Sequence, residues 1–73
     1  MNTLEKLIFC KEHGITIKYI ADMADVVPST LSQWVKGEKG ISSKTELRVD
    51  KAINALVQTL YNNIEVNIDD RDL

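Results

Sequence analysis

The segment Pro28-Ser29-Thr30-Leu31-Ser32-Gln33-Trp34-Val35-Lys36 puts three hydroxyls and one carboxamide within five positions. Wound into a helix, it sends Leu31, Trp34 and Val35 to one side and Ser29, Ser32, Gln33 and Lys36 to the other. Short hydroxyls and a two-headed amide are the groups that hydrogen-bond to base edges in the major groove of DNA. Gln33 can pair with adenine N6 and N7, a contact worth about 1–3 kcal/mol of discrimination, while Ser29 and Ser32 are less selective and Thr30 offers a methyl or a hydroxyl. Lys36, Lys39 and Lys44 follow across the next turn, and Thr16 and Lys18 stand on the other side. Such groups hold phosphates and position a duplex without reading it. A polar face on a short helix is more often simply solvated, so the assignment depends on the elements that carry these residues.

Four helices are expected to carry them, in an all-α domain. Asn2 and Glu5 have the spacing of a capping box, and Leu4, Leu7 and Ile8 recur at helical intervals, which places a first helix at about 3–13, ended by Gly14. Thr16 offers a capping hydroxyl to a second helix at about 17–24, whose narrow apolar face is Ile17, Ile20, Ala21 and Ala24. Ala21 would admit close helix approach. Asp25, Val26 and Val27 lead to Pro28, whose missing N–H and fixed φ suit the first position of a third helix at about 28–36, stopped by Gly37. With Val27 at the cap, Val26 and Leu31 have the spacing of a hydrophobic staple. Ser43 and Glu46 make a second capping box before a fourth helix at about 44–62, whose apolar stripe is Val49, Ala52, Ile53, Leu56, Val57, Leu60 and Ile64. Beyond it Ile64, Val66 and Ile68 alternate with Glu65, Asn67 and Asp69, the period of a short strand at 64–68. A lone strand would need its copy from a second chain, so Leu60, Ile64, Val66 and Ile68 are the expected dimer contacts.

The unit from Thr16 to Gly40, two short helices joined by a three-residue turn, resembles the helix-turn-helix DNA-binding family of phage Cro and repressor proteins. The likeness rests on Ile20-Ala21 within the first helix of the pair, Val26 after the turn, Pro28-Ser29-Thr30-Leu31-Ser32 opening the second, and Trp34 and Gly37 closing it, and it covers about residues 3–56. It implies that the helix at 28–36 enters the major groove. Three positions depart from the family pattern. Asp25 stands where the family usually has Gly, and Asp enters the left-handed region less readily than Gly but better than most residues. Val27 replaces a capping Ser or Thr, so the third helix is expected to lose a cap or to begin at Ser29. Ile17 replaces a polar phosphate contact such as Gln, leaving that task to Thr16 and Lys18.

Length and composition bound the alternatives. Seventy-three residues make one domain, expected as a DNA-binding body at 1–63 and an acidic tail at 64–73. A chain this short buries only about 60% of its unfolded surface, too little for both a stable core and a deep catalytic cavity. With one His, one Cys, no Gly-rich phosphate loop and no GxSxG elbow, no enzyme, cofactor, disulfide or structural zinc is expected. Cys10 and His13 supply at most two metal ligands, and a packed thiol and a solvated imidazole are the commoner outcome. No apolar run approaches the roughly 18 residues of a membrane span and the N-terminus has no signal-peptide layout, so a cytoplasmic protein without membrane or small-molecule partners is expected.

The net charge of −2 argues against a phosphate-binding surface. Its distribution weakens that argument: residues 1–60 hold eight Lys/Arg against seven Asp/Glu, and 61–73 hold Arg71 against Glu65, Asp69, Asp70 and Asp72. So small a net attraction favours two subunits on a two-fold operator. The expectation is a transcription regulator of phage or mobile-element type, a repressor by resemblance, that binds double-stranded DNA as a homodimer. The alternative is a protein-interaction module, such as an antirepressor, inhibitor or assembly adaptor, on the same fold without DNA contact. Trp34 is expected to pack in the core. Phe9, opposite the Leu4/Leu7/Ile8 stripe, either packs on the C-terminal segment or marks a partner surface.

Overall fold

The computed structural model describes the backbone of residues 1–72 and the side chains of residues 1–64. Within them lie four helices and no strand: α1 Thr3–Glu12, α2 Ile17–Ala24, α3 Pro28–Val35 and α4 Ser43–Asp72. The starts of the first two are fixed by side chains. Asn2 Oδ1 accepts the Glu5 N–H at 2.9 Å while the Asn2 N–H donates to the Glu5 carboxylate at 3.2 Å. Thr16 Oγ1 accepts the Tyr19 N–H at 3.1 Å. Val27 makes no capping bond, yet α3 still begins at Pro28. A lost cap costs about 1 kcal/mol, which the preset φ of proline at the first position helps to offset.

All three short helices end in the same way. Gly14, Asp25 and Gly37 have φ of 89°, 58° and 77°. The N–H after each reaches back five residues, from Ile15 to the Cys10 carbonyl at 3.0 Å, from Val26 to Ala21 at 2.9 Å and from Glu38 to Gln33 at 2.9 Å. This Schellman closure satisfies carbonyls that the helix itself leaves unpaired. Asp25 takes the left-handed conformation that Gly would take without strain, and its exposed carboxylate lies 3.3 Å from Arg48 Nη2.

The core is drawn from all four helices: Leu7 and Cys10, Ile20, Ala21 and Ala24, Leu31, then Val49, Ala52 and Ile53. Ile15, Ile17, Val26, Trp34 and Val35 pack around it, so Trp34 is indeed a packing residue. Burial pushes the Cys10 thiol up from its ordinary pKa, which keeps it protonated and inert.

The fourth helix departs from expectation at both ends. Its cap is Ser42, whose Oγ accepts the Thr45 N–H at 3.1 Å, rather than Ser43 with Glu46. The Ser42 hydroxyl also donates to Thr45 Oγ1 at 2.9 Å, an exchange that Ser43 and Glu46 do not make. The strand expected at 64–68 does not form, because α4 continues to Asp72. Extending an established helix gains one hydrogen bond per residue without a new nucleus, whereas a five-residue strand finds no partner within the chain. Of the expected dimer contacts, Leu60 and Ile64 lie on this helix, and the side chains of Val66 and Ile68 fall outside the described residues. At 30 residues α4 is about 45 Å long. The molecule accordingly measures 50 × 21 × 21 Å.

Candidate nucleic-acid interface

The left-handed Asp25 reverses the chain between α2 and α3, and the fully buried Ala21 and Leu31 hold the two helices on one core. With Leu31 turned inward, Ser29, Ser32, Gln33 and Lys36 occupy about 100° of the opposite face. Ser29 and Lys36 are exposed, Ser32 and Gln33 are half-buried, and Thr30 lies half-buried at the edge. Among the described residues, none of these five side chains enters a side-chain hydrogen bond or an ion pair. The donors and acceptors of this face are free for an external ligand.

A cleft of about 350 Å³ adjoins it, lined by Lys11 and Gly14 at the end of α1, Thr16 and Ile17 at the start of α2, and Ser32 of α3. The fold thus brings an expected base reader, Ser32, beside an expected phosphate contact, Thr16. Since the Thr16 oxygen accepts from Tyr19, its hydroxyl hydrogen remains available to donate outward. Lys11 also lines this cleft, a role the sequence reasoning did not give it. A lysine in the last turn of α1 looks like a partner for the helix dipole, and only the Gly14 corner folds it toward α3. Lys18 is exposed on α2, while Lys39 and Lys44 are exposed outside the cleft, on the α3–α4 connection and the first turn of α4.

The seam between α1 and α4 has a different character. Lys6 Nζ donates to Asp50 Oδ1 at 3.0 Å and to Asn54 Oδ1 at 3.3 Å, Thr3 Oγ1 donates to Asp50 Oδ1 at 3.1 Å, and Asn54 Nδ2 donates to Asp50 Oδ2 at 3.3 Å. The Lys6 hydrogen bond, followed by that from Thr3, holds the Asp50 carboxyl below its ordinary pKa. These polar groups consume one another.

The family model described as Helix-turn-helix matches residues 8–56, more than half of the chain. The chain belongs to the helix-turn-helix family. That family is one of DNA-binding regulators and not of enzymes. No curated protein and no solved structure matches the chain. In this helix-turn-helix protein α2 and α3 form the paired unit, α1 and the first half of α4 support it, and the match stops at Leu56, within α4. Among the described residues no helix is long and apolar enough to cross a membrane.

Proposed function

We propose that this helix-turn-helix chain is a sequence-specific transcription regulator of the phage or mobile-element type, which sets α3 in the major groove and binds a two-fold operator as a dimer. The observation that carries the proposal is the outer face of α3, polar and uncommitted, with lysines beyond its C-terminal end and on the neighbouring helices. Gln33 reads a base through both ends of its amide, and Ser29, Thr30 and Ser32 contribute less selective contacts. Thr16, Lys18, Lys36, Lys39 and Lys44 hold the phosphates, and Lys11 joins them across the cleft. Selection of bound duplexes from a random pool tests this. The expected product is a symmetric motif with half-sites about 10 base pairs apart, and an unenriched pool would reject base reading.

A protein-interaction module is the second reading, favoured by Ile17, which presents an apolar side chain at the cleft where a polar phosphate contact would serve DNA. A mobility-shift assay with random duplex at low salt separates the two, because even weak phosphate contacts retard DNA there.

A further inference from the structure

Of the two valines at the corner between α2 and α3, one packs and the other does not. Val26 lies against the core, whereas Val27 is 63% exposed, more than any other large apolar side chain among the described residues except Met1 at 76%. Val27 holds the cap position of α3, with φ −63° and ψ 126°, and makes no capping hydrogen bond. A Ser or Thr in this place would accept an N–H of the first turn and stabilise the helix. Valine gives up that bond and leaves two methyl groups in solvent, so stability does not account for it.

The methyls are nonetheless held firmly. The Val26 N–H donates to the Ala21 carbonyl at 2.9 Å and the Thr30 N–H to the Val27 carbonyl at 3.0 Å, which ties the backbone on both sides. A β-branched side chain has few χ1 choices, so little freedom is lost when something covers it.

We propose that Val27 is a specificity-determining residue, which reads the C5-methyl group of a thymine in the major groove. The proposal deepens the DNA-binding reading given above and rests on it. A recognition helix meets base edges with its N-terminal residues, and Val27 directly precedes Pro28, the first residue of α3. Thymine is the base whose major-groove edge carries an apolar group, and small apolar side chains are its partners. Pro28 has no N–H to offer, so this end of α3 presents an apolar surface ahead of the hydroxyls of Ser29 and Thr30. Asp25, two residues earlier, has the wrong charge for DNA, and the Arg48 guanidinium 3.3 Å away counters it.

The test uses the full chain and the duplex it selects from a random pool. Replacing thymine by uracil, one position at a time, removes the methyl and nothing else. The parent is expected to lose about fourfold in affinity at one position of a half-site, the value of one buried methyl group, and about 15-fold when both half-sites are changed. Val27→Ala is expected to bind the thymine and uracil duplexes within about twofold of each other while keeping its preferences at other positions. Val27→Ser separates reading from folding: it restores a capping hydroxyl and is expected to raise Tm by a few degrees, yet it too should lose the thymine–uracil difference. A scan with no sensitive thymine, or a sensitivity that survives both variants, overturns the contact alone. A pool that does not enrich overturns the DNA-binding reading and the contact with it.

Discussion

The outer face of α3 and the seam between α1 and α4 are built from the same kinds of residue and use them in opposite ways. In the seam Thr3, Lys6, Asp50 and Asn54 close a ring of hydrogen bonds at 3.0 to 3.3 Å. On α3, Ser29, Ser32, Gln33 and Lys36 form none among the described residues. A polar group satisfied within the chain adds to stability and has less to offer a ligand. One left open adds little to stability and keeps its donors for something outside. Polar composition alone therefore says little about function in so small a domain, and pairing says more.

Five substitutions sharpen the contrast, the largest effect first. Leu31→Ala, on the inner side of the same helix, should lower unfolding free energy by about 2–5 kcal/mol, read by urea titration, because it opens a cavity among fully buried neighbours. That loss approaches the whole stability of a small domain. Gln33→Ala, on the outer side, should leave stability within about 0.5 kcal/mol of the parent and remove about 1–3 kcal/mol of base discrimination, read by competition binding with operator variants. Lys36→Ala offers the companion test: uniformly weaker binding and a salt slope smaller by about one.

Asp50→Asn should have a smaller effect and the reverse pattern. It should leave operator selectivity intact and destabilise the fold by less than about 1 kcal/mol at neutral pH, because the pair is part-exposed. The folded-state pKa of Asp50 is depressed, so its contribution is fully present above the unfolded value of about 3.9 and is lost as pH falls through the lower folded value. Thermal melts of parent and variant should therefore converge in acid. The smallest effect is expected from Asp25→Gly, which relieves a left-handed non-glycine residue and loses only an exposed ion pair. A gain of about 0.5 kcal/mol or less should raise Tm by a few degrees at most.

Much of this was legible in the sequence because it is local. Capping at Asn2 and Thr16, the corners at Gly14 and Gly37 and the proline start of α3 each depend on residues within one turn of one another, and the sequence displays such spacings. The cap at Ser42 was missed by one position because two adjacent serines offer the same hydroxyl, and the Thr45 partner that decides between them matches no standard box. The strand at 64–68 was misjudged because five alternating residues fit two periods, and the choice belonged to the helix already running into them. The α1–α4 seam and the place of Lys11 were invisible for a different reason. Lys6 meets Asp50 across 44 positions, a proximity that no local pattern encodes.

The three left-handed corners at Gly14, Asp25 and Gly37 also bear on how the molecule is made. Each reverses the chain with bonds spanning five residues, so α1, α2 and α3 can take their relative directions before any distant contact exists. Local topology of this kind folds in microseconds to milliseconds. The slow event left to the chain is the return of α4 onto α1 and α2, which brings Lys6 to Asp50 across 44 positions.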